Sequence, residues 1–177
     1  MPTDREKDTK KLSDVFEWMQ AAILSLTCVA LLFTFVFRTV GVDGTSMVPT
    51  LLNEDRLLLT HLFYTPARGD IVVISRIDEQ KEPLIKRVIA LAGDTIDITA
   101  DHQVIVNGQV LEEPYLSVVT SAKHHEYPLT VPEDCVFVMG DNRVVSLDSR
   151  DLGPIEVSRV MGKAVFRLWP NFGGLYP

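Results

Sequence analysis

A chain of 177 residues, 46% of them hydrophobic, is long enough for one domain with a packed core and an appendage. Its formal charge of −7 excludes a nucleic-acid partner, which would need a concentrated basic surface to meet the phosphates. The 2 cysteines, Cys28 and Cys135, lie in segments of different character and give no disulfide. The 4 histidines, His61, His102, His124 and His125, lack zinc-ligand spacing and are expected to be solvated loop residues.

Residues 1–17 mix Arg5, Lys7, Lys10 and Lys11 with Asp4, Glu6, Asp8, Asp14 and Glu17, a density of charge that predicts a solvated tail. From Trp18 to Phe37 no residue is charged. At ~1.5 Å per residue this run reaches about 30 Å, the thickness of a bilayer's hydrocarbon core. Its Leu, Ile, Val and Phe side chains contribute on the order of 3–6 kcal/mol to insertion, which outweighs Gln20. A transmembrane helix over 18–37 is therefore predicted. It reads as an uncleaved anchor, because a cleaved signal peptide has a shorter apolar region of about 7–15 residues and a small-residue cleavage site, where this chain has Phe35-Val36-Phe37-Arg38. Four Lys/Arg precede the run and only Arg38 closely follows it, so the positive-inside rule predicts a cytoplasmic N-terminus and an extracytoplasmic domain over 38–177.

Just past the anchor comes Gly44-Thr45-Ser46-Met47-Val48-Pro49-Thr50. Gly44 permits backbone angles closed to other residues and Pro49 fixes its own φ, so Ser46 falls in a constrained bend. Two readings are open: a surface turn with an incidental serine, or an aimed hydroxyl nucleophile. At ~3.3–3.6 Å per residue, Ser46 lies within about 30 Å of the membrane surface.

The rest of the chain predicts β-structure. Short runs rich in Val, Ile and Leu span 56–59, 71–75, 84–91, 95–99, 103–106, 135–139 and 162–168. Turn signals separate them, among them Asn107-Gly108, whose turn type needs φ above zero at both positions. Residues 112–132 are polar and proline-punctuated and predict a long surface loop, and no helical period of useful length follows residue 60. The expected fold is mainly β: one transmembrane helix, then an antiparallel sheet domain with a short inserted β-region at about 96–130.

Within Leu84-Ile85-Lys86-Arg87-Val88-Ile89-Ala90-Leu91, a period of two puts Lys86 on one face with Leu84, Val88 and Ala90, while Arg87 faces the other way. A lysine in that setting either snorkels to water or is desolvated with a lowered pKa. Lowering it from ~10.4 to ~8 costs about 3 kcal/mol, and the neutral amine can then take a proton from a serine hydroxyl. A third segment, Gly140-Asp141-Asn142-Arg143 with Ser146-Leu147-Asp148-Ser149-Arg150, is either a polar loop with ion pairs or a hydrogen-bonded scaffold behind a site.

Four segments in this order, 44–50, 69–73, 86–94 and 140–150, resemble the boxes of the type I signal peptidases, bacterial membrane serine proteases with a Ser/Lys dyad, in their compact Gram-positive form. The resemblance implies Ser46 as nucleophile and Lys86 as general base, with Ser146 orienting the lysine and Asp148, Arg150 and Asp141 in support. It implies an apolar substrate pocket of Val40, Val42, Met47, Leu51, Leu84 and Ile85, and cleavage after small residues at −1 and −3. The implied partners are signal peptides of secreted preproteins and the lipid bilayer, with no metal or other cofactor.

Three positions depart from the family pattern. Ala92 stands where proline is usual, and Val144-Val145 stands where Asp-Asn is usual. Gly44 stands where some members have a serine that helps the oxyanion hole, and a serine here is expected to be tolerated. Two rivals remain at this point. A self-cleaving Ser/Lys repressor-type protease would carry a DNA-binding module in place of the anchor. An inactive membrane-anchored binding protein of the same fold would be expected to lack Ser46 or Lys86.

Overall fold

Residues 4–62, 64–75, 82–116 and 118–175 are described by the computed structural model. They form two compact units that divide between Phe37 and Arg38.

The first unit is helix α1, Asp4–Val36. It begins well before the apolar run, so the charged stretch from Asp4 is helical too, while the first three residues of the expected tail lie outside the described residues. Its 18-residue window Asp14–Leu31 is long and apolar enough to cross a membrane. Trp18, Ile23, Leu24 and Leu26 are all exposed, as suits a helix with lipid for its solvent. Phe37, expected to end the helix, instead opens the first strand.

The second unit is built on an eight-stranded sheet. In chain order come β1 Phe37–Gly41, β2 Arg56–Thr60, β3 Ile71–Ile74, β4 Leu84–Leu91, β5 Thr95–Ile98, β6 Val104–Val106, β7 Gln109–Val110, β8 Leu129–Thr130, β9 Cys135–Met139, the short helix α2 Ser149–Leu152, β10 Ile155–Glu156, β11 Val160–Trp169 and β12 Gly173–Gly174. The large sheet runs β1-β2-β11-β3-β4-β9-β10, with β12 on β11, and β5 to β8 form a small sheet in the order β7-β6-β5-β8. The pairings of β11 with β2, β3 and β12, and of β4 with β3 and β9, are antiparallel.

Strand β4 is buried along almost its whole length, which explains why its sequence is a near-continuous apolar run. The expected alternation holds from Leu84 to Val88 and then breaks: a register shift against β9 between Val88 and Ala90 turns both Ile89 and Ala90 into the core between the two sheets, with Ile96, Val104 and Phe137. Val72, Ile74, Val88, Val136 and Val138 fill a second core, and Met47, Leu51, Leu57, Ile71 and Val73 a third beneath the Ser46 loop.

Residues 112–132, expected to be loop throughout, contribute β8, which closes the small sheet on β5. The histidines also divide. His124 is 80% exposed, whereas His61 Nδ1 and His125 Nε2 are buried, contrary to the expectation that all four are solvated. Both cysteines are free, Cys28 exposed on α1 and Cys135 half-buried on β9.

Candidate active site

The loop from Val42 to Asp55 joins β1 to β2, and its shape comes from short-range bonds at both ends. Val42 N–H donates to the Asp55 carbonyl (2.8 Å), Glu54 N–H donates to the Val42 carbonyl (2.9 Å), and Gly44 N–H donates to Asn53 Oδ1 (2.9 Å). Between them the chain turns: Val48 N–H reaches the Thr45 carbonyl at 3.2 Å and Leu51 N–H the Met47 carbonyl at 2.9 Å. Met47 and Leu51 are almost wholly buried and pin this turn to the core. Ser46 is left half-buried at its start. Gly44 has φ +91° with nothing within 4 Å of where a Cβ would stand. There is room for a side chain, but the backbone angle disfavours any L residue, so the expectation that serine fits here is corrected.

Lys86 on β4 meets this turn. Its Nζ donates to Ser46 Oγ at 2.8 Å and to the Ile85 carbonyl at 2.8 Å, and the residue is only 2% exposed. Burial lowers its pKa from 10.5 to about 8. Asp148 opposes that shift, Lys123 adds to it, and Asp141 opposes it. An amine that gives up its proton so readily can accept another from the hydroxyl it touches.

The segment after β9 holds the turn from behind. Asn142 N–H donates to the Ser46 carbonyl (2.9 Å) and its side-chain amide to the Thr45 carbonyl (3.2 Å). Gly140 lies so close that a Cβ would stand 2.5 Å from the Ser46 carbonyl oxygen. Asp148 and Arg150, both wholly buried, pair through two bonds (Nε to Oδ1 2.9 Å, Nη2 to Oδ2 2.8 Å), and Arg150 Nη2 also donates to the Arg143 carbonyl (2.8 Å). Asp148 caps α2 and accepts from Gly140 N–H at 3.0 Å. Its burial favours the neutral acid, but the Arg150 guanidinium wins and holds the carboxyl below its ordinary range.

Asp141 is oriented by Arg87, which donates to it from Nε (2.9 Å) and Nη2 (2.7 Å), and by the Thr50 hydroxyl (2.5 Å). Arg87 leaves β4 on the side opposite Lys86 and stacks 3.9 Å from the centre of the Tyr115 ring. Ser146 is buried close to Gly140 and Asp148. Its hydroxyl has no hydrogen-bond partner among the described residues, so the bond to Lys86 expected of it is not formed here.

Ser46 and Lys86 line a cleft together with Val40, Val42, Met47, Leu84 and Ile85, which gathers five of the six expected pocket residues. Leu51, the sixth, is wholly buried in the core behind Met47. Asp43 and Glu82 add carboxylates to the cleft. Asn142, Thr50 and Arg87 were not singled out in the sequence. Asn142 could have been, since it sits inside the polar 140–143 run, but its two bonds to the Ser46 turn join residues far apart in the chain, which no local pattern reveals.

A hydroxyl and a buried amine in contact beside a cleft, on a mainly β scaffold, form a pair able to do the acid–base chemistry that serine and histidine share in the familiar hydrolases. Residues 15–169 match the family model described as signal peptidase, peptidase S26. A signal peptidase I of Bacillus licheniformis is 39% identical, over 93% of this chain and 94% of that protein. Signal peptidase I S of Bacillus subtilis is 34% identical, over 94% of this chain and 95% of that protein. A crystal structure of a signal peptidase I from Enterococcus faecalis aligns with TM-score 0.50 and 32% identity, covering 58% of this chain and 98% of that one. The chain belongs to the signal peptidase I family of serine endopeptidases.

Proposed function

We propose that this protein removes N-terminal signal peptides from secreted preproteins, with Ser46 as the nucleophile and Lys86 as the general base. The observation that carries the reading is the 2.8 Å contact between Lys86 Nζ and Ser46 Oγ, made by an amine whose pKa is near 8. Neutral Lys86 takes the hydroxyl proton as Ser46 Oγ attacks the carbonyl carbon before the scissile bond. The ammonium then gives that proton to the leaving amine, and a water attacks the acyl-enzyme with Lys86 again as base. The Ser46 N–H donates to no described residue, which suits it to stabilise the developing oxyanion. Ser146 is proposed to orient the lysine, a role consistent with a buried hydroxyl close to Asp148 that has no hydrogen-bond partner within bonding geometry among the described residues. Asp148, Arg150 and Asp141 support the dyad through the bonds described above.

The cleft of Val40, Val42, Met47, Leu84 and Ile85 suits small apolar side chains, in keeping with cleavage after small residues at −1 and −3. Residues 18–36 span the membrane, residues 1–17 face the cytoplasm, and the chain from Phe37 on forms the extracytoplasmic domain, an orientation supported by the excess of Lys and Arg before the apolar run. The test is incubation of the detergent-solubilised protein with a preprotein, with the cut bond located by mass spectrometry. Wild-type protein should cut after a small residue. Ser46→Ala and Lys86→Ala should each be inactive while folded, and substantial activity in either would refute the assignment.

A further inference from the structure

The loop between β7 and β8 is stitched to the Gly140–Arg150 segment along its length. Glu113 and Thr120 both bond the Arg143 guanidinium, the Ser121 carbonyl accepts from Arg150 Nη1 (3.3 Å), and His124 N–H donates to the Arg150 carbonyl (3.3 Å). Lys123 sits in the middle of this seam. Its ammonium, on a side chain only 17% exposed, donates to the Ser146 carbonyl and to Asp151 Oδ2 (2.6 Å). Its backbone has φ +57°, a conformation that residues with a Cβ seldom adopt, so the surrounding contacts hold it there.

We propose that Lys123 is a positioning residue for the cleavage reaction, holding the Ser146–Asp151 segment in the register that keeps Gly140 and Asn142 against the Ser46 turn. The inference rests on the reading of Ser46 and Lys86 as nucleophile and base. Each link in the path is a direct contact. Asp151, the carboxylate that Lys123 grips, also accepts from Asp148 N–H (3.3 Å). Asp148 holds Gly140 N–H, and Gly140 lies so near the Ser46 carbonyl that a Cβ on it would stand 2.5 Å from that oxygen. On its other branch, Lys123 fixes the carbonyl of Ser146, whose N–H donates to the Asn142 carbonyl (3.1 Å). Asn142 in turn holds the Ser46 and Thr45 carbonyls.

The same ammonium acts on Lys86 through its charge. Among the described residues, the charges that shift Lys86 are Asp148 and Asp141, which stabilise its ammonium, and Lys123, which disfavours it, while Asp43 and Glu82 line the same cleft. Losing the Lys123 charge therefore raises the pKa of Lys86 and moves the rising limb of the pH profile to higher pH. A residue that served packing alone would leave that limb where it is.

The experiment measures kcat and KM from pH 6 to 11 on a peptide with alanine at −1 and −3. Full-length wild type, Lys123→Met and Lys123→Arg are compared, with thermal unfolding as the check on folding. Lys123→Met should lose kcat by about tenfold with KM changed less than about twofold, and its limb should move to higher pH. Lys123→Arg should restore both. A Lys123→Met enzyme with wild-type kcat and limb overturns the inference, as does a fall in kcat with an unmoved limb that Arg fails to rescue. If Lys123→Met does not fold, Lys123→Gln, which keeps a donor without the charge, is compared with Lys123→Arg for the same limb shift, and an unmoved limb overturns the inference. Wild-type protein whose limb lies near pH 6.5 would overturn the dyad reading itself, and so is distinguishable from a failure confined to Lys123.

Discussion

Replacing Lys86 by methionine should make the protein more stable as it abolishes activity. Burial moves the Lys86 pKa from 10.5 to about 8, and at about 1.36 kcal/mol per unit the folded state bears about 3 kcal/mol for holding this ammonium at neutral pH. Methionine keeps most of the volume without the charge. It also leaves the Ile85 carbonyl without one donor, a loss of about 1 kcal/mol. The net gain is therefore about 2 kcal/mol, or a rise in Tm of about 4–8 °C for a protein of this size. The sign with pH follows from linkage. Because the folded pKa lies below the unfolded one, the unfolded chain binds more protons between about pH 8 and 10.5, and the wild type gains stability as pH rises through that window. The penalty relieved by methionine is thus full at pH 7 and falls below about 1 kcal/mol by pH 10. Thermal unfolding of both full-length proteins in one detergent, at pH 7 and pH 10, gives the comparison. A variant less stable than wild type at pH 7, or a difference that does not change with pH, would refute the claim that the lysine is buried at a cost.

Two further outcomes follow from the same geometry. The wild-type kcat/KM should rise through an apparent pKa near 8, and Lys86→Arg should be inactive because its guanidinium stays protonated; a limb near pH 6.5 would point to histidine instead. Gly140→Ala should cost about 1–3 kcal/mol by unfolding and lower kcat more than it raises KM, because its Cβ would stand 2.5 Å from the Ser46 carbonyl oxygen; an alanine enzyme with unchanged kcat would show that the approach is not tight.

Residues whose setting is written locally could be read from the sequence, and those fixed by tertiary contact could not. Strand β4 and the anomaly of Lys86 within it were legible because the short run Leu84–Leu91 put one amine among aliphatics, although its alternation stops at Val88. The apolar helix was legible from an unbroken apolar run, though its limits were not: it reaches back to Asp4 and stops at Val36, where strand β1 begins. Strands β7, β8, β10 and β12 are two residues long, too short for a period to show. The resemblance places Leu51 in the pocket, but an aliphatic residue in a turn carries no local sign of where its side chain points. The turn at Met47–Leu51 points it instead into the core, a direction set by a backbone bond. Ser146 and Lys123 show the same limit, since the hydroxyl of one is without a partner among the described residues and the ammonium of the other has two only because of where the tertiary fold puts them.

Strand order has a consequence for how the enzyme comes into being. Ser46 lies between β1 and β2, Lys86 lies on β4, and β2 does not pair with β3; the strand between them is β11, Val160–Trp169. A chain emerging from the ribosome exposes both reactive residues well before the strand that joins their halves of the sheet. Until β11 inserts, that sheet is two separate fragments, and its closure waits on contacts far apart in sequence, the slowest kind to form. On the proposed reading, activity therefore waits until residues 160–169 have been made, since a copy without them has no continuous scaffold on which to hold Ser46 to Lys86.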